Sequence, residues 1–378
     1  DGGDTAVDID ANTTADNSGA RITAVTGIGT DANSIETTIE TLSATTISGD
    51  LNIRNTGELD VIDNGGVLGV TITAGSELDN ISLAIVDTAA AGSAMNVGGT
   101  SVRNTGGGDV TLAVEGDDAG DDLNLNSVVT AAGGSGDISL IAGADINQAG
   151  IAVTAAAAGD IRYAAGVDFN NNLEQAGLGT GDIVMAAAAT TASGTGNITM
   201  TATDNVTLGT LTTAGDASIT ADDNTNGLGD NAGAITEVAA GVVITADDLT
   251  LNAATGVGNG DAIETTVTTL TSTNSTAGNI EVTETDNLAL VAVVQTTNVA
   301  GNDIQIISLG GGITDGGDDA SDITAGTNSN VFLSAQTGIG SADAIDTAIT
   351  DLVVENLGGA GNIQISNTGD LNLIADFT

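Results

Sequence analysis

The feature that most restricts this chain is a short phrase that keeps returning: a turn residue, then Asp or Asn, then apolar, polar, apolar. It stands at Gly49-Asp50-Leu51-Asn52-Ile53, Gly136-Asp137-Ile138-Ser139-Leu140 and Gly361-Asn362-Ile363-Gln364-Ile365. The alternation turns one face of a short strand inward and leaves the other in water. Gly with Asp or Asn supplies a tight turn, because these residues tolerate positive φ or hydrogen-bond nearby backbone groups. Apolar residues often recur eight positions on, as in Leu51 and Leu59, Ile138 and Ile146, Ile280 and Leu288, and Ile363 and Leu371. Such short strands cannot bury their apolar faces alone, but stacked as coils they share one core.

A longer phrase occurs three times: Thr26-Gly27-Ile28-Gly29, Thr255-Gly256-Val257-Gly258 and Thr337-Gly338-Ile339-Gly340. Each copy runs into a Thr-rich acidic stretch with apolar residues at matching offsets: Ile35, Ile39, Leu42; Ile263, Val267, Leu270; Ile345, Ile349, Leu352. The offsets imitate a helical face, yet Thr and Ile favour strand. The Ala runs 155–158 and 186–189 read as tight corners. The fold expected is an all-β solenoid of stacked short strands, continuous over 21–378, with 1–20 as a flexible lead, cap or joining strand. At about 20 residues and 4.8 Å per coil, that is roughly 19 coils and a rod of about 90 Å.

Composition agrees with a thin, regular core. Aromatic residues are 1% of the 378 residues, and Pro, Cys, His and Trp are absent, so Ile, Leu, Val and Ala must fill the interior. Hydrophobic residues reach 40%, which argues for a folded chain despite the acidity. There are 51 acidic residues against four basic ones, Arg21, Arg54, Arg103 and Arg162, for a net charge of -47. That balance disfavours nucleic acid and anionic membrane as partners. No run approaches the roughly 18 apolar residues of a membrane helix. The start, Asp-Gly-Gly without Met, reads as a mature or excised piece.

The strings TGIGSADAIDTAITDL and GNIQISNTGDLNLIA, between Thr337 and Ala375, resemble the repeats of filamentous-haemagglutinin-like bacterial exoproteins, as do residues 26–62 and 255–290. The resemblance implies a right-handed parallel β-helix, an extracellular or cell-surface location, and work in adhesion, biofilm or envelope structure. The secretion-signal domain of that family is not visible.

Catalysis finds little support. Without His, Lys or Cys the usual bases and nucleophiles are missing. A carboxylate-only glycosidase would want aromatic sugar platforms, and the chain has Tyr163, Phe169, Phe332 and Phe377 alone. Calcium is the one cofactor the sequence raises. Asp222, Asn224, Asn226 and Asp230 begin a calcium-loop pattern, with Gly233 where the closing Glu belongs. The plainer reading, an Asp/Asn-rich turn without an ion, is preferred. Looser acidic groups are Asp117, Asp118, Asp121 and Asp122, and Asp315, Asp318, Asp319 and Asp322. Turn residues Asn197, Asn279 and Asn362 are candidates for hydrogen-bonded ladders between coils. The function expected is a structural, self-associating surface or fibre protein that meets itself end to end. An adhesin stalk with a binding tip elsewhere is the alternative, its partners cell-surface or matrix glycans or proteins.

Overall fold

The computed structural model describes residues 7–10, 18–30, 32–87, 92–116, 118–170, 173–176, 181–222, 231–238, 241, 243–258, 260–297, 299–317 and 321–374. Among these the secondary structure is strand and turn, with no helix, and the chain is a parallel β-solenoid. It divides into two units, Asp1–Thr203 and Asp204–Thr378.

In the first unit each coil contributes to three columns of strands. One column stacks Leu51, Ile81, Val110, Ile138, Ile161 and Ile198 in register. A second stacks Leu59, Met95, Leu123, Ile146 and Ile183. The third stacks Val70, Val102, Val129, Val153 and Thr191. All but Thr191 are fully buried apolar residues, as strict alternation requires. Each such side chain contributes about 1.5–3 kcal/mol by leaving water.

In the first unit the coil is longer than the expected 20 or so residues, whereas in the second the steps from Val331 to Leu352 and from Leu352 to Leu373 are 21. The steps along the first column are 30, 29, 28, 23 and 37 residues. The eight-residue spacing is the distance around one corner: Leu51 and Leu59 lie in successive columns of one coil. The Ala runs do form corners, closed by Gly159 N–H on Ala156 O (3.1 Å) and Ala189 N–H on Ala186 O (2.8 Å). Ile35–Thr38 and Thr41–Thr56 are strands, not helix.

The 37-residue coil carries an antiparallel hairpin, Val167–Asn170 with Leu173–Ala176. Val167 packs on Ala113, Ile141 and Ala164, which point outward from their strands yet are buried. Of the first 20 residues, Ile9 and Asp10 pair in parallel with Thr37 and Thr38.

In the second unit Val206, Ile235, Val257, Ile280, Ile304, Val331, Leu352 and Leu373 follow one another by parallel pairing. Leu249, Leu270 and Leu290 form a neighbouring column. Both units therefore obey one rule: inward residues repeat by register, while corner length varies.

Candidate functional site

The thrice-repeated phrase builds the same backbone device each time. Both glycines of every copy have positive φ: 90° and 71° at Gly27 and Gly29, 128° and 65° at Gly256 and Gly258, 119° and 63° at Gly338 and Gly340. A side chain there would be strained, and a Cβ on the second glycine would strike a carbonyl of the next coil, that of Asn52, Glu281 or Gln364. The residue between the glycines is buried. Ile28 faces Leu51 and Ile35 faces Ile53. Likewise Val257 faces Ile280 and Ile263 faces Val282, while Ile339 faces Ile363 and Ile345 faces Ile365. Two residues apart on one coil therefore oppose six or seven apart on the other, and the intervening residues leave the ladder as a loop.

Below each loop lies a polar clamp. Asn55 Oδ1 accepts from Thr37 Oγ1 (2.8 Å) and Ile39 N–H (3.0 Å), and its amide donates to Ile39 O (3.1 Å). Asn367 repeats this with Thr347 and Ile349. Glu284 takes the third position. Its Oε2 accepts from Thr265 Oγ1 (2.8 Å) and Val267 N–H (3.0 Å), its Oε1 from the N–H groups of Thr285 (2.7 Å) and Asp286 (3.1 Å). Burial pushes its carboxyl up and these donors oppose the shift.

Asp and Asn at the strand starts form ladders. Asn80 N–H donates to Asp50 Oδ1, Asp109 N–H to Asn80, Asp137 N–H to Asp109, Asp160 N–H to Asp137 and Asn197 N–H to Asp160, at 2.7–3.1 Å. In the second unit Asp303 N–H donates to Asn279 Oδ1 (2.9 Å) and Asn330 N–H to Asp303 Oδ1 (2.8 Å). Asn197 and Asn279 thus belong to ladders. Asn362 serves through its backbone, accepting from Ile339 N–H (2.8 Å). A further ladder on an outer face links Asn96, Asn124 and Asn147 amide to amide, with Asp60 at its end.

Of the calcium-loop residues read from sequence, Asn224, Asn226 and Asp230 lie outside the described residues. Asp222 is described, with φ 62° and its Oδ1 accepting Asn231 N–H (3.1 Å). Asp117, Asp318 and Asp319 also lie outside. Asp118 and Asp121 do converge, but with Asp87. Asp121 is fully buried and accepts from Ser93 N–H and Asp118 N–H, both at 2.8 Å. Burial pushes its carboxyl up, and Asp87 and Asp118 add to this. Asp122 instead accepts Asp145 N–H (3.1 Å). Asp315 bonds its own turn at Gly317 N–H (2.7 Å), whereas Asp322 accepts Asp346 N–H (2.8 Å).

The group that sequence reading missed is Glu237, Asp261 and Glu264. One carboxylate oxygen from each lies within 4.8 Å of the others. Both oxygens of Glu237 and Oε2 of Glu264 are shielded from water on side chains that are only half-buried, and the backbone N–H of Glu264 holds the Glu237 carboxyl down against the other effects. Burial, then Glu264 and Asp261, push the Glu237 carboxyl up to about 8.

No family model, curated protein or solved structure matches the chain.

Proposed function

We propose that this chain is a non-catalytic, self-associating scaffold segment of an extracellular surface or fibre protein. The observation that carries the reading is where the polar side chains are engaged. The Asx ladders and the Asn55 and Asn367 clamps bind one coil to the next. The resemblance to filamentous-haemagglutinin-like repeats supports the location.

Parallel pairing of coil on coil also supports self-association: an unpaired strand edge invites another in the same register, here a coil from a second copy. Sedimentation and negative-stain imaging over a concentration series test this. Dimers or end-to-end filaments are expected, more of them at high salt, where screening weakens the repulsion of a -47 chain. A wild-type particle that stays monomeric throughout overturns the reading.

A further inference from the structure

We infer that the outer face of the third column in the first unit is a docking surface for a second copy of this chain, lying side by side with the first. The inference deepens the self-association reading and rests on it. Seven successive coils cross this face, as residues 19–30, 41–49, 65–76, 97–108, 126–136, 148–159 and 185–196. None of these stretches holds an Asp or Glu, although the chain carries 51 acids in 378 residues. Acids resume directly beyond them, at Asp50, Glu77, Asp109, Asp137 and Asp160. Two of the four arginines, Arg21 and Arg103, do stand here.

The face is assembled by register. Thr23, Thr45, Thr71, Arg103, Thr130 and Thr154 form one outward row, each paired with the next across the stack. All six are exposed or half-buried, while the residues beside them in the strands turn inward. A second, independent observation is where the apolar surface lies. Among the described residues of the first unit, seven large apolar side chains are exposed, and four of them stand on this face: Val25, Ile47, Leu68 and Val128, at 37–65%. Apolar side chains gathered on one side of a soluble protein mark a contact surface. Interfaces also favour Arg and deplete Asp and Glu, which is the balance found here.

Charge selects the occupant. Two chains of net charge -47 repel each other. The second column's side presents exposed Asp60 and Asp63, and the first column's side carries Glu115 and the Asp109, Asp137, Asp160 ladder. Contact through either would set carboxylates against carboxylates or bury them without partners. Through the third column neither happens. Two arginines are too few to hold an anionic polymer against the charge of the whole chain. Seven coils at about 4.8 Å, by a strand and corner of roughly 20 Å, offer roughly 600 Å² per copy and about 1,200 Å² in a pair, the low end for a specific interface. The contact is therefore weak in a pair and gains strength where concentration and salt favour it.

The test is sedimentation with negative-stain imaging of the full chain over a concentration series at high salt, which screens the repulsion. Wild type should give particles joined side by side. Thr154→Glu and, separately, Arg103→Glu should weaken that association about tenfold or more. Val184→Glu, which adds a carboxylate to the second column's outer side beside Asn147, should leave it unchanged. Two face variants are used so that a misfolded one, recognised by its melting curve, leaves the other to decide. Single-width filaments without side-by-side pairs in wild type overturn this inference and leave end-to-end association standing. Pairs that survive both face variants, or that Val184→Glu disrupts equally, also overturn it. A wild type that is monomeric throughout overturns both readings.

Discussion

The two main Asx ladders use the same bond in different electrostatic company. In the first unit Asp109, Asp137 and Asp160 follow one another, each N–H on the carboxylate before it. In the second, Asp303 sits between the amides of Asn279 and Asn330. Asp109, Asp137 and Asp160 are exposed, whereas Asn279, Asp303 and Asn330 are half-buried. Stacking carboxylates is tolerated where water and salt screen them, while the less exposed ladder alternates charge with amide. The ladder needs an acceptor oxygen at each rung, and a negative charge only strains it.

The largest effect should come from removing the acceptor where water reaches it less readily, in the half-buried ladder. Asp303→Ala strands both Asn330 N–H and its side-chain amide, 2.8 and 3.1 Å from Asp303 Oδ1. It should cost about 1–3 kcal/mol, seen as faster amide exchange at Asn330 and a lower denaturant midpoint. Asp137→Ala should cost less, since Asp160 N–H can turn to water. Equal losses would break the comparison.

Next in size is the response to pH. Burial first, then neighbouring aspartates, raise the carboxyls of Asp137 and Asp145. Their native state therefore favours the proton. Their contribution is fully present below the ordinary value of 3.8 and is lost as pH rises through the elevated native value. Asp63 and Asp79 act oppositely. Thr100 lowers the first and Ser76 N–H the second, so their stabilisation is lost on acidification. The measurement is thus a difference: an Asp137→Asn, Asp145→Asn double variant should gain over wild type near neutral pH, and the gain should vanish by about pH 3.

Smallest is Asp137→Asn alone. The amide oxygen still accepts Asp160 N–H, and relief of repulsion at so exposed a site should add only about a few tenths of a kcal/mol, shrinking with salt. Asp303→Asn should show no such salt-dependent gain.

The fold was legible because its signal is local. Gly49-Asp50-Leu51 announces a turn and an inward residue: Leu51 is inward, while the expected turn is a positive-φ glycine (77°) within the strand Thr41–Thr56, where Asp50 accepts Asn80 N–H. Coil length was not legible, because the spacing of Leu51 and Leu59 measures a corner, and the return to Ile81 depends on where three corners end. The calcium-loop reading of Asp222 to Asp230 looked for ligands along one stretch of chain. Glu237, by contrast, meets acids 24 and 27 positions later through coil pairing, which no string displays. A weaker clue was present: Ile-Thr-Glu and Ile-Thr-Asp each stand one coil ahead of a glycine phrase. The corner asparagines left a better one in the triplet Asn-Thr-Gly, at 55–57, 104–106 and 367–369. Each of these asparagines sends its amide to nearby backbone carbonyls.

The loop at each glycine phrase starts and ends on residues whose partners lie only two positions apart on the neighbouring coil. Pairing resumes after each loop, although in the first copy the register shifts by one residue just before it, between Thr26 and Ile28. Such a loop is a natural port for grafted sequence. A foreign peptide spliced in beside Gly260, whose Cβ direction is open, would be displayed outward at a defined height on the stack, while the strands beneath it kept their alignment.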